Sequence, residues 1–150
     1  MHKASLLILC LLPAIWGLGA QPEPDPNPEN SAFVPLHIYI DSGDTPLAAY
    51  QFELKTVAGR VKIVGVEGGD HPAFSEPPYY DPAALANDRI IIAAFNTGSN
   101  LPAGKTRMAT LHLLVTGDTA PEYDIELSAA ADPDGQKISA QITFDQGDIQ

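Results

Sequence analysis

Apolar and polar residues alternate along several separate stretches of this chain, and this alternation restricts its fold more than any other feature. Val34, Leu36, Ile38 and Ile40 would share one face of a strand, because successive side chains of a strand point to opposite faces. The same alternation recurs in residues 48–54, 109–115, 123–129 and 138–144. A period of two predicts half-buried β-strands, each with one face towards the core.

Two other stretches, Arg60 to Glu67 and Arg89 to Phe95, are apolar at both even and odd positions and predict strands covered on both faces. Turn-forming residues separate the runs. The sequence therefore predicts an all-β fold, an antiparallel jelly-roll-like β-sandwich of at least seven strands. One short helical turn is expected in a long loop, at Asp81 to Asn87, where Asp81 can cap the turn and Pro82 fits its first position.

The predicted core collects large apolar residues of the strand-like runs. It comprises Tyr50, Phe52, Ile92, Leu111, Leu113, Ile125, Ile142 and Phe144.

The first twenty residues have the arrangement of a secretory signal peptide. Lys3 precedes an apolar run from Ala4 to Ile15, and small residues follow up to a cleavage point after Gly19 or Ala20. The run is shorter than the roughly 20 residues that a transmembrane helix needs, and no later run could anchor the mature chain. We therefore expect a protein that is exported to the periplasm or the cell exterior. Lipidation at Cys10 is the less favoured alternative, because large residues precede it.

Residues 21–32 form a predicted proline-rich, acidic spacer, in which every second residue from 22 to 28 is proline. One domain is expected over residues 33–145, followed by a short tail at 146–150. Cys10, the sole cysteine, would leave with the signal peptide. The mature chain would then have neither a disulfide nor a cysteine nucleophile.

The chain is strongly acidic. Its 8 lysine and arginine residues face 19 aspartate and glutamate residues, and the formal charge is -11. Nucleic acids and anionic membrane surfaces bind clustered cations, so neither is an expected partner. Solubility in an exposed compartment is the simplest meaning of the acidity.

Sequence motifs for nucleophilic catalysis, phosphate binding and zinc binding are absent. His37, His71 and His112 lack the spacing of a metal site and are interpreted as ordinary surface or half-buried histidines. Asp132 and Asp134 flank a turn and are weak calcium candidates, although a plain turn with Gly135 at positive φ is the preferred interpretation. We therefore expect no catalysis and no cofactor.

The segment from Gly68 to Pro82 is unusual because four prolines make it stiff and three aromatic residues lie in it. Rigid aromatic side chains on an ordered loop are typical of binding hot spots. The candidate binding residues are Asp70, His71, Phe74, Tyr79 and Tyr80. In the alternative interpretation, Phe74 and one tyrosine fold back to close an open end of the sandwich.

The order of the strand-like runs along the chain also resembles that of a known protein family. After the first strand come Leu47-Ala-Ala-Tyr-Gln-Phe-Glu-Leu, Val61-Lys-Ile-Val-Gly-Val-Glu, a long loop, Arg89-Ile-Ile-Ile-Ala-Ala-Phe, Met108-Ala-Thr-Leu-His-Leu-Leu-Val and Ala131-Asp-Pro-Asp-Gly-Gln-Lys-Ile with a closing strand. This order resembles the bacterial cohesin domain across nearly all of residues 33–145.

The resemblance to cohesins implies a jelly-roll-like sandwich related to carbohydrate-binding modules. Cohesins often follow their second strand with an Asp-Pro-x-x-Leu turn, whereas here Thr56-Val-Ala-Gly occupies that place and Asp81-Pro-Ala-Ala-Leu comes later. The resemblance therefore implies a non-catalytic recognition module, not membership of a cellulosome.

Two classes of binding function follow from these observations. The first is protein recognition of cohesin type, and the alternative is a carbohydrate-binding module. The only tryptophan, Trp16, lies in the signal peptide, so a sugar platform would depend on Tyr79 and Tyr80. A hydrolase has the least support, because no catalytic signature is present. The expected partner is an extracytoplasmic protein or a polysaccharide.

Overall fold

The protein is described by a computed structural model over residues 30–147. The predicted signal peptide, the spacer up to residue 29 and tail residues 148–150 lie outside the described residues. The described chain forms eight strands: β1 (Ser31–Asp41), β2 (Ala49–Ala58), β3 (Arg60–Gly68), β4 (Tyr79–Tyr80), β5 (Arg89–Phe95), β6 (Lys105–Thr116), β7 (Glu122–Ala131) and β8 (Gln141–Gln146).

The strands form two four-stranded sheets, which we call sheet I (order β3-β6-β1-β8) and sheet II (order β4-β5-β2-β7). Every neighbouring pair within a sheet is antiparallel. The predicted antiparallel β-sandwich is thus confirmed. Across residues 30–147, no helix has the length and apolar character that a membrane crossing requires.

The core lies between the two sheets, where the inward positions of the alternating runs meet. Five of the predicted core residues are buried there, namely Tyr50, Phe52, Ile92, Leu111 and Leu113. The prediction was wrong for Phe144, whose surface is 39% exposed, and Ile125 and Ile142 are half-buried. All three lie on β7 or β8, the edge strands on one side of the sandwich. Within the described residues no further strand covers the outer side of β7 or β8, so their inward side chains stay partly exposed, whereas a loop covers the edge of β3 and Ile63 there is buried.

The prediction that β3 and β5 are covered on both faces was also wrong. Val64 and Ile91 are exposed and lie on the outer faces of their sheets. In a two-layer sandwich each sheet has only one covered face. The outward-facing apolar residues of β3 and β5 therefore stay exposed.

The predicted helical turn is present but is shorter than the segment Asp81 to Asn87. A single 3-10 turn spans Pro82–Ala84, with the Asp81 carboxylate accepting the N–H of Ala83. The turn ends because Leu85 is extended, and Ala86 has a φ of 68°. A left-handed alanine cannot continue a right-handed helix. A second 3-10 turn, Pro72–Phe74, lies earlier in the same loop.

Two tyrosine hydroxyls at the core have opposite environments, and we expect opposite effects on removing them. Tyr50 Oη donates to the Met108 carbonyl at 3.2 Å, whereas Tyr123 Oη is buried without a hydrogen-bond partner among the described residues. Burial raises the pKa of both phenols. Tyr123→Phe should raise the free energy of unfolding by about 1 kcal/mol, and Tyr50→Phe should lower it by about 1 kcal/mol. Urea unfolding of the two variants measures both values, and a destabilised Tyr123→Phe variant would contradict the assignment.

Candidate functional site

Phe74 anchors the proline-rich loop to the end of the sandwich. Its side chain is buried, and its ring meets the Tyr50 ring edge-on, with 5.4 Å between centroids. His71 Nδ1 accepts the N–H of Ala73 at 3.2 Å and so caps the 3-10 turn that carries Phe74. Asn96 Nδ2 donates to the Ala73 carbonyl at 2.9 Å. Phe74 and His71 therefore hold the loop in place.

Asp70 fastens the start of the same loop to sheet I. The Arg107 guanidinium donates from Nη2 to the Asp70 carboxylate, and this hydrogen bond holds the pKa of Asp70 below its usual value. The Asp70 N–H also donates to the Arg107 carbonyl at 3.1 Å. Arg107 Nη1 donates to Thr110 Oγ1 at 2.8 Å, and His37 Nδ1 lies 3.0 Å from the same oxygen. This network connects the loop to β6 and β1.

Tyr79 and Tyr80 lie on opposite faces of sheet II. They are successive residues of β4, so their side chains point in opposite directions. Tyr80 packs against the core. Tyr79 is 69% exposed on the outer face. Of the five predicted site residues, Tyr79 alone presents an exposed aromatic ring to solvent.

Phe95 accompanies Tyr79 on the outer face and was not among the predicted site residues. It is the last residue of β5 and is 65% exposed. Its ring stacks on the Tyr79 ring, with 6.0 Å between centroids and 12° between planes. The sequence could have indicated this exposure, because Ile91, Ala93 and Phe95 are alternate residues of one strand and therefore lie on the same face. Because β5 was predicted to be covered on both faces, Phe95 was not predicted to be exposed.

The two rings border a shallow groove of about 260 Å³ on the outer face of sheet II. Alanines dominate its floor, and their short side chains leave room above the strands. We call this surface the aromatic groove; its lining residues are Ala49, Tyr50, Gln51, Tyr79, Ala93, Ala94, Phe95, Ala129 and Ala131.

Acidic residues follow the groove-lining residues further along β7 and β2. Glu53 receives two hydrogen bonds from Arg89, at 2.8 and 2.7 Å, and these bonds lower the pKa of Glu53 and raise the pKa of Arg89. Glu126 lies directly across from Glu53 in the β2–β7 register. Glu126 and Asp124 are both exposed. Lys55 lies opposite Asp124 in the same register, so the three carboxylates of Glu53, Asp124 and Glu126 outnumber the two cations, Arg89 and Lys55, by one.

Asp132, one of the calcium candidates, accepts main-chain hydrogen bonds within the turn after β7. Asp132 Oδ1 accepts the N–H groups of Asp134 at 3.0 Å and Gln136 at 2.8 Å. Gly135 has a φ of 75°, as the turn interpretation required. Within residues 30–147, no group of three or more histidine, cysteine, aspartate or glutamate side chains is arranged to hold a metal ion.

Of His37, His71 and His112, two lie on strands, His37 on β1 and His112 on β6. His112 Nε2 lies 3.1 Å from Glu67 Oε1 without the geometry of a hydrogen bond. This contact is an ion pair only when the imidazole is protonated.

Comparison with known proteins rests on structure alone, because no protein-family model and no curated protein matches the chain. Among solved structures, the chain is similar to a non-cellulosomal cohesin from the hyperthermophilic archaeon Archaeoglobus fulgidus, with a TM-score of 0.55 and 14% sequence identity. The match covers 73% of this chain and 75% of that chain. The protein therefore has a cohesin-like β-sandwich fold.

Proposed function

We propose that this protein is a non-catalytic module that recognises a protein partner through the aromatic groove. The observation that carries the proposal is the exposed, stacked pair of Tyr79 and Phe95 beside that groove. The occupant we propose is a partner segment with an aromatic or aliphatic anchor between basic residues. From the signal-like pattern of residues 1–20, we also propose that the module acts outside the cytoplasm.

The stacked pair has the physical properties of a binding anchor. Both rings extend from strands whose backbone is already fixed. Docking would therefore restrict few additional rotatable bonds and would cost little conformational entropy. Exposed aromatic residues that adjoin an apolar surface are typical of interaction sites. The shallow alanine floor would admit a side chain of the partner between Tyr79 and β7.

The charge around the groove supports a basic partner. Glu126, Asp124 and the turn carboxylates of Asp132 and Asp134 lie along or next to β7. The nearby cations are fewer: Lys55 lies opposite Asp124, Arg89 of β5 is paired with Glu53, and Lys137 bridges to Ala131. An acidic border attracts lysine and arginine and speeds the encounter with them.

The geometry favours a protein over a polysaccharide. Sugar rings stack on aromatic side chains that form a flat, open row. Tyr79 and Tyr80 lie on opposite faces of sheet II, and Tyr79 is stacked against Phe95. The two rings stack on each other and do not lie side by side, so they do not form the flat row on which sugar rings stack.

A peptide selection tests this proposal, because its outcome does not depend on which protein is the natural partner. A random peptide library would be selected on the purified protein, and the enriched peptides would be measured against two variants. Tyr79→Ala with Phe95→Ala removes the anchor. Phe33→Ala is the matched control, because Phe33 is 57% exposed on β1 of the other sheet.

We expect the enriched peptides to contain an aromatic or aliphatic residue flanked by lysine or arginine. Their affinity should fall at least about tenfold on the double variant and stay unchanged on Phe33→Ala. The melting temperature of the double variant should change by less than about 3 °C, because both rings are exposed. Peptides that bind the double variant equally well would refute the site, and binding of a soluble glycan that requires Tyr79 would favour the polysaccharide alternative.

A further inference from the structure

The outer edge of β8 is unpaired in the described part of the chain. β8 is the last strand of sheet I, and its one hydrogen-bonded neighbour there is β1. An open edge displays a row of free N–H and C=O groups, which can pair with another strand.

The register identifies which main-chain groups of β8 are free. Gly147 N–H donates to the Pro35 carbonyl at 2.9 Å, and these residues continue the pairing in which Gln146 lies opposite Leu36. Hydrogen-bonded and non-bonded pairs alternate along an antiparallel ladder. The odd-numbered residues of β8 therefore bond to β1, and Ile142, Phe144 and Gln146 direct their N–H and C=O groups to the open edge.

Other edges of the sandwich are covered or protected. The edge of β3 is covered by the loop that leads into β5, because Ile63 N–H donates to the Asn87 carbonyl at 3.0 Å and Ala86 N–H donates to the Ile63 carbonyl at 2.8 Å. The edge strand β7 carries Glu122, Asp124 and Glu126, and charges of this kind discourage strand pairing. β4 has only two residues. β8 has the sequence Gln-Ile-Thr-Phe-Asp-Gln, with a single charge and strong β-formers at its centre.

An apolar flank accompanies the open edge. Phe144 points inward beside β7, and its ring meets the Tyr123 ring edge-on at 5.7 Å between centroids. Phe144 nevertheless stays exposed, and Ile142 is half-buried. A strand added to β8 would cover both side chains.

We infer that β8 pairs with β8 of a second copy of this protein, in an antiparallel arrangement with Thr143 opposite Thr143. In this register Ile142 of each copy lies opposite Phe144 of the other, and Gln141 lies opposite Asp145. A β-branched residue across from an aromatic residue is a favourable cross-strand pair, and no two carboxylates face each other. β8 is thus complementary to itself, which the two-fold symmetry of such an interface requires.

The pairing joins the two copies of sheet I into one continuous sheet. Each of the two Ile142–Phe144 pairs exchanges two main-chain hydrogen bonds. The contact is small, so we expect a reversible dimer with a Kd of roughly 10–100 µM. The aromatic groove lies on the outer face of sheet II and not on sheet I, so the dimer would present two copies of it. The inference does not depend on the function proposed for the groove.

Sedimentation equilibrium of the purified protein over about 5–500 µM, a range that brackets this Kd, tests the inference. The wild type should change reversibly from monomer to dimer. Phe144→Lys should weaken the dimer at least about tenfold, because it places a charge opposite Ile142 of the second copy. Phe95→Lys is the matched control and should dimerise like the wild type, because Phe95 lies on the aromatic groove.

Amide hydrogen exchange of the wild type at low and high concentration supplies a second test, which holds even if Phe144→Lys is poorly folded. The amides of Ile142 and Phe144 should become protected as concentration rises. Those of Thr143 and Asp145 should stay protected throughout, because they bond to β1. A monomer across the whole range, exchange at Ile142 and Phe144 that is independent of concentration, or a dimer that only Phe95→Lys disrupts would each overturn the inference.

Discussion

Replacing Phe52 with alanine is expected to lower the free energy of unfolding by about 3–5 kcal/mol. Phe52 is fully buried on β2, an inner strand of sheet II. It lies between Ile92 of β5 and Leu127 of β7 in the strand registers, and its ring is 6.1 Å from that of Tyr50. Its removal would leave a cavity enclosed by both sheets, which cannot collapse without moving the strands.

Phe95→Ala is the matched control for Phe52→Ala, because it makes the same chemical change at an exposed position. It should alter the free energy of unfolding by less than about 1 kcal/mol. Urea unfolding of the two variants and the wild type supplies the comparison. A loss below about 1 kcal/mol for Phe52→Ala would contradict the placement of β2 at the centre of the core. No cysteine lies within residues 30–147, so no disulfide can mask the effect.

Replacing Gly69 with alanine is expected to cost about 3 kcal/mol, because the added methyl group would collide with β6. A Cβ at this position would lie 2.1 Å from the Arg107 carbonyl oxygen and 2.9 Å from Met108 main-chain atoms. Main-chain atoms of a paired strand cannot move aside without breaking the ladder. The loop would have to detach, with loss of the Asp70–Arg107 pair and of Phe74 burial.

Gly65→Ala is the matched control for Gly69→Ala. A Cβ at Gly65 would meet the His112 side chain at 3.6 Å, an ordinary contact, so this variant should stay within about 1 kcal/mol of the wild type. Thermal and urea unfolding measure both variants, and proteolysis of the loop would report its detachment. Equal stability of the two variants would show that the loop is not pressed against β6.

The strands were predictable because the alternation of side chains is a local property. Val34 to Ile40, Tyr50 to Leu54 and Leu111 to Leu113 alternate in the sequence and point into the core as predicted. The short turn after Asp81 was predictable for a similar reason, since the capping carboxylate and the proline act on their immediate neighbours.

The candidate site was predictable only in part. The loop from Gly68 to Pro82 contains Tyr79, which is exposed, but it also contains Phe74, which is buried. Composition could not separate them, because the direction of each ring depends on the strand or turn that carries it. Phe95 reached the site through β5, which lies beside β4 in sheet II. Its contact with Tyr79 depends on that pairing, which no local pattern specifies.

By itself the sequence determined that the chain forms short alternating strands joined by tight turns, and hence an antiparallel sandwich. It could do so because the period of two and the turn residues act over a few neighbouring positions. Only the tertiary structure decided which strands became edges. Burial depends on how many neighbours a strand acquires, and those neighbours come from distant parts of the chain. For that reason Phe52 is buried and Phe144 is exposed, although both occupy inward positions of alternating strands. Asp70 likewise finds its partner in Arg107 on β6, 37 residues further along the chain.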